Sequence, residues 1–148
     1  MTSVLTVAAA RLLMAPILVV AAAVLVKGYA DVGDGFSAGV IAALGIVLQY
    51  LALGREEAER LLALRLIGPA VFVALLGALA VALIPLARGD ALLEHAPAPG
   101  AHVVELGTIE LITAVAFDVA IFVLVLAAVV GIVRAIAHVA EGEGEGGP

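Results

Sequence analysis

The sequence predicts an all-α membrane protein: a bundle of four transmembrane helices, N-in/C-in, with a disordered acidic C-terminal tail. Three observations predict it. The 148 residues are 65% hydrophobic and only 14% charged, whereas water-soluble domains average roughly half apolar and a quarter charged. Four runs reach the roughly 20 apolar residues that a helix needs to cross a bilayer core. The few basic residues divide unevenly between the two sides that four crossings would define. Residues 1–140 are read as the four-helix domain and 141–148, "EGEGEGGP", as a Gly/Glu low-complexity tail expected to be disordered.

The first span is placed at about 5–26, "LTVAAARLLMAPILVVAAAVLV", with Arg11 and Pro16 inside it. Its apolar stretch exceeds the roughly 7–15 residues of a signal-peptide core, and no small-x-small site stands clear of it, so it reads as a retained anchor. Arg11 lies near enough to the end for its side chain to snorkel to the headgroups. The Gly- and Asp-rich "KGYADVGDG" then predicts a tight turn. The second span follows at about 35–53, "GFSAGVIAALGIVLQYLAL". "GREEAERLLALR" (54–65) is a short amphipathic stretch in which Glu56 and Arg60 have the spacing of a helical ion pair. The third span covers about 66–87. A long loop, 88–107, with "APAPG" as its extended centre, leads to the fourth span at about 109–133.

Four crossings place both termini and the 54–65 connection on one side. That side carries Arg11, Arg55, Arg60, Arg65 and Arg134, and the other carries Lys27 and Arg88. The excess predicts that the termini are cytoplasmic and the 88–107 loop external. Cysteine is absent, which excludes disulfides, thiolate metal sites and cysteine nucleophiles. No clustered Lys/Arg footprint for nucleic acid is present. No phosphate-binding loop, dinucleotide fingerprint, nucleophile elbow or zinc spacing occurs, so neither catalysis nor a cofactor is expected. His95 and His102 flank "APAPG" near Glu94 and Glu105, but their spacing characterises no metal site, and they read as a solvated loop.

Two features stand out. Gly35, Gly39 and Ala43 recur every four residues and line one face of the second span, a groove that lets a neighbouring helix approach closely. Asp118 sits inside the fourth apolar run, placed by the expected span a few residues from the membrane midplane. An ionised Asp at that depth costs about 2.5–3.5 kcal/mol on insertion scales, so its side chain should face protein or water rather than lipid. Two roles stay open: a residue of a proton or cation pathway, or a polar latch within the helices or to a partner subunit. Glu110 lies eight residues before Asp118, about 80° away on a helical wheel, and Glu105 precedes it at the outer mouth. The three acids could guide cations inward. For Glu105 and Glu110 the plainer reading is preferred: acids near a helix start, where Thr108 would cap and the macrodipole favours carboxylates.

With those residues in view, "GDGFSAGVIAALGIVLQYLA" resembles a P-G-G-G-F-x-x-G signature, and "GTIELITAVAFDVAIFVLVLAAVVGI" resembles an F-D-x-G closing helix. Both belong to the B subunit family (MnhB/MrpB) of multi-subunit Na+/H+ antiporters, with related modules in membrane-bound hydrogenases. Gly33, Gly35, Phe36, Gly39, Phe117, Asp118 and Gly131 match the family pattern; Val32, Asp34 and Ala120 depart from it, as does Tyr29-Ala30 where His-Asn is usual. The resemblance implies an accessory subunit in the cell membrane, assembled with other membrane proteins into a complex of about six or seven different subunits that exchanges Na+ and H+. An equivalent subunit of a redox-driven complex is the second reading, and a stand-alone homodimeric transporter the third. The native absence of cysteine makes the topology directly testable. Ala98→Cys is expected to react with an impermeant thiol reagent from outside intact cells, and labelling from the cytoplasmic side alone would invert the orientation.

Overall fold

A computed structural model describes residues 3–28, 33–62, 66–89, 105–106, 109–110 and 113–145. The helices are α1 (Val4–Lys27), α2 (Gly35–Leu53), the short α3 (Arg55–Leu62), α4 (Ile67–Arg88) and α5 (Thr113–Glu145). Two two-residue strands, β1 (Glu105–Leu106) and β2 (Ile109–Glu110), pair antiparallel just before α5. Four helices, α1, α2, α4 and α5, are long and apolar enough to cross a membrane. This is what hydropathy demands: inside a bilayer only a helix satisfies every backbone polar group within one segment.

Local chemistry sets the helix ends. The Ser3 hydroxyl accepts a hydrogen bond from the Leu5 N–H (3.3 Å), an N-terminal cap on α1. Gly54, at φ +79°, separates α2 from α3 with a backbone conformation that an L side chain rarely adopts. The last span starts at Thr113, four residues later than expected, because residues 109–110 pair as a strand with 105–106 instead of entering the helix. At the other end α5 continues to Glu145, so it takes in 141–145, residues expected to be disordered. The helix of 33 residues is about 50 Å long, well beyond the hydrocarbon thickness. The expected loop sites His95 and His102 lie outside the described residues.

The four spanning helices of the expected bundle pack as a bent row, α1–α2–α5–α4. α1 packs on α2, α2 on α5 and α5 on α4, while α1 and α5 scarcely meet. The reason is written on α2. Its buried residues fall into two stripes: Ala38, Ala42, Gly45, Gln49 and Ala52 in one, and Gly35, Gly39, Ala43, Ile46 and Tyr50 in the other. At the helical pitch their centres lie about 100° apart. The first stripe meets α1: a Cβ on Gly45 would come 2.8 Å from Ile17 Cγ2, and the Gln49 amide donates to the Ala10 carbonyl at 2.7 Å. The second stripe meets α5, where Ala43, Ile46 and Tyr50 cluster with Val130 and with Ala58 of α3. α2 is thus the hub, with half of its apolar window buried, against 11%, 17% and 11% in α1, α4 and α5.

The contacts also fix relative direction. α1 runs antiparallel to α2, because Ala10 meets Gln49. α2 and α5 run parallel, because Gly35 meets Asp118 while Tyr50 lies near Val130. One end of the row gathers the ionic side chains. Arg11 pairs with Glu57 at 2.9 Å, and Arg55 and Arg134 each place Nε 3.2 Å from Glu59 Oε1. Arg55 Nη2 also lies 2.8 Å from His138 Nε2. On α3 the i, i+4 ion pair therefore forms at Arg55–Glu59, one residue before the Glu56/Arg60 spacing. The start of α1, the end of α2, α3 and the end of α5 share this end.

Candidate functional site: the Asp118 carboxylate at the head of the second helix

At the opposite end of the row, a carboxylate from one helix meets the beginning of another. Asp118 is 5% exposed. Its Oδ2 accepts a hydrogen bond from the Gly33 N–H at 3.0 Å. Gly33 sits just before α2, in the turn leaving α1, at φ +119°. The first N–H groups of a helix lack intrahelical acceptors and carry the positive end of the macrodipole. α2 has no side-chain cap from its own N-cap residue, Asp34. Asp118 therefore binds the N–H of the residue just before the N-cap, close to the positive end of α2. A hydrogen bond to a charged acceptor contributes about 1.5–3 kcal/mol.

Close approach of the backbones makes this possible. A Cβ on Gly35 would overlap the Asp118 carbonyl oxygen, and one on Gly39 would stand 2.9 Å from that of Phe122 and 3.0 Å from Val125 Cβ. A Cβ on Gly28 would stand 3.0 Å from Asp118 Oδ2. The carboxylate thus occupies a niche of glycines supplied by the end of α1, the turn and the start of α2. Next to it Lys27 Nζ meets Asp34 Oδ2 at 3.1 Å, which ties the end of α1 to the cap of α2.

Among the residues singled out from sequence, the structure brings Gly33, Gly35, Gly39 and Asp118 together. Phe36 projects outward and is exposed, and Phe117, next to Asp118 on α5, is partly buried. Glu105 and Glu110 face each other as Cα partners across β1–β2. Glu110 is outside α5, so the helical-wheel relation to Asp118 does not exist. Asp118 lies toward one end of its helix. It is the sixth residue of α5, about 8 Å from the helix start, and is level with the first residue of α2 rather than with the middle of the spans. Sequence reasoning did not assign Gln49 a partner, although a lone amide in an apolar run signals an interhelical hydrogen bond. It also left out Gly28 and Lys27, whose proximity to Asp118 and Asp34 arises only from folding of the turn.

The geometry separates glycines that are needed from glycines that are incidental. Gly35→Ala is expected to destabilise the chain by about 3 kcal/mol, because overpacking acts here on a backbone atom that cannot rotate away. Gly68→Ala, on an α4 position with nothing within 4 Å of the added Cβ, is expected to leave stability unchanged or slightly raised. Thermal melting and size-exclusion profiles of the two variants in the same detergent check the contrast.

A comparison with protein-family models matches residues 5–131 to a domain related to the MnhB subunit of the Na+/H+ antiporter. No curated protein matches the chain. The matched range takes in α1, α2, α3, α4, the turn held by Asp118 and most of α5. A multi-pass architecture of four apolar helices agrees with a plasma-membrane transporter subunit. The chain belongs to the MnhB-related family of Na+/H+ antiporter subunits.

Proposed function

We propose that this chain is a non-catalytic accessory subunit that completes the membrane part of a multi-subunit Na+(cation)/H+ antiporter, assembled from about six or seven different proteins, with its termini in the cytoplasm. The observation that carries this reading is the open row. Three of the four spanning helices bury less than a fifth of their apolar windows, so most of their surface is left for lipid and for neighbouring subunits. Among the described residues the row is one helix thick and encloses no aqueous path, and the buried Gln49 and Asp118 bind backbone groups of the same chain. The partners implied are other apolar membrane subunits, with Na+ and H+ as ions of the whole complex.

Within that assembly Asp118 acts as a latch. Its acceptor oxygen holds the α1–α2 turn, and its backbone carries the close contact with Gly35. Glu105 and Glu110 belong to the β1–β2 pairing at the mouth of the same end. The ion-pathway role for Asp118 is the competing assignment. An equivalent place in a redox-driven complex such as a membrane-bound hydrogenase would use the same row with a different energy source.

Gentle solubilisation of the tagged chain is expected to recover several other hydrophobic subunits. Recovery as a clean monomer, with salt tolerance unaffected by deletion, overturns the proposal, and metal-cluster proteins among the recovered subunits favour the redox-driven assembly. Asp118→Asn keeps an oxygen that the Gly33 N–H can reach and is expected to assemble and exchange nearly normally, whereas Asp118→Leu is expected to lose assembly. Normal assembly of the Asn variant with exchange abolished would reassign Asp118 to proton or cation handling.

A further inference from the structure

The face of α1 turned away from the row carries a second feature. Pro16 stands inside α1. Proline has no N–H, so the Leu12 carbonyl, four residues earlier, loses the donor that a helix would give it. α1 stays α-helical through this stretch, with no π or 3₁₀ turn to bring another N–H to that oxygen. Leu12 is 77% exposed and Val19 67%, and Pro16 is exposed with them. Ala10 and Ile17, which meet α2, lie on roughly the opposite side of the helix. The depth follows from Gln49, which is level with Ala10 and four residues inside the end of α2. Leu12 therefore lies about 9 Å inside that end. The 19 residues of α2 are barely enough to cross the hydrocarbon, so the orphaned carbonyl is within it.

Given the multi-subunit assembly proposed above, on which this rests, we infer that the outer face of α1 docks against a spanning helix of another subunit. That helix presents a serine, threonine, asparagine or glutamine side chain that donates to the Leu12 carbonyl. Acyl chains have no donor to offer, and an unmatched backbone group in the bilayer core is costly. Prolines persist in spanning helices where neighbouring helices satisfy the group they free. The nearby donors of this chain are engaged elsewhere: the Gln49 amide binds the Ala10 carbonyl, and Arg11 turns to Glu57. A second copy lying parallel in the same membrane offers no exposed hydroxyl at this depth among the described residues. Thr6 is about 9 Å nearer the start of α1, and Ser37 is at the opposite end of α2. Ala8, Ala15 and Ala23 are exposed beside Leu12, Pro16 and Val19, so the neighbouring backbone can come close. Pro85, in the interior of α4, makes the contrast: it is buried within the row.

The test is photo-cross-linking in the isolated complex, with a short diazirine amino acid in place of Leu12 or Val19. Both positions are expected to form adducts with one and the same neighbouring subunit. Pro16→Ala restores an N–H for the Leu12 carbonyl within α1, so the neighbour's donor is no longer needed. It is expected to weaken retention of that subunit in detergent about three-fold, the value of one interhelical hydrogen bond, while the isolated chain melts no lower. Val19→Trp, at an exposed position, is expected to lose the neighbour while the isolated chain folds as before. Should Pro16→Ala melt lower, the adducts and Val19→Trp decide. Adducts with lipid alone in a complex that keeps its other subunits overturn the inference and leave the assembly standing. Adducts with a second copy of this chain overturn it in favour of self-association. Retention indifferent to Pro16→Ala overturns the role of the carbonyl. Recovery of the chain without any other subunit, seen before photolysis, overturns the assembly itself and this contact with it.

Discussion

The arrangement of this protein depends on one close contact, the passage of the α5 backbone over the first turns of α2. Gly35 and Gly39 leave no side chain between the two helices, and the Asp118 and Phe122 carbonyls occupy the space that Cβ atoms would take. Inside a bilayer, burial of apolar surface gives helices no net reason to associate, because lipid tails are as apolar as leucine. Tight van der Waals packing over small residues and a few interhelical hydrogen bonds carry that task. The same approach delivers the Asp118 carboxylate to the Gly33 N–H, which lies at the positive end of α2. Close packing and the Asp118–Gly33 hydrogen bond are thus consequences of one geometry.

From that contact the row follows. α2 offers small residues on two adjoining stripes, one for α1 and one for α5, and so becomes the helix that both others use. Gln49 adds an interhelical hydrogen bond on the α1 side, where its alternative would be an unsatisfied amide in hydrocarbon. α4 then adds to the far side of α5: Gly77 approaches Ala120, and Ile67 lies near Gly131. Small residues take part in each pair, and among the described residues α1 and α4, the two ends of the row, are not packed together. Broad apolar faces are therefore a property of the architecture. In a family of subunits from multi-protein antiporters, an open row offers surface on which neighbours can pack.

The two ends of the row are chemically unlike. At the Asp118 end, one buried carboxylate and the Lys27–Asp34 pair hold a turn together. At the other end, Arg11, Arg55 and Arg134 pair with Glu57 and Glu59 around the short α3. Exposed pairs such as Arg11–Glu57 contribute roughly 0.2–1 kcal/mol, whereas Arg55 and Arg134 share Glu59 in a less exposed network. It concentrates charge at this end of the row, near the buried Tyr50 hydroxyl, for which the described residues provide no hydrogen-bond partner.

The amino-acid sequence by itself determined the class, the number of spans and the family. Hydropathy alone accounts for the four helices, because a bilayer permits a long apolar run little else but to be helical. The 35–39–43 periodicity marked a packing face, and the lone Asp118 marked a polar contact. What the sequence did not contain was depth and partnership. The start of α5 depended on a backbone pairing of 109–110 with 105–106, a non-local hydrogen-bond choice that moves Glu110 off the helix and Asp118 toward one end. A Gly/Glu-rich run reads as disorder from composition, yet α5 carries its backbone hydrogen bonding on to Glu145. The second stripe of α2, the open row and the niche of Gly28, Gly33 and Gly35 around Asp118 belong to the tertiary structure. Periodicity can say which residues share a face, but only the packed helices decide what that face touches.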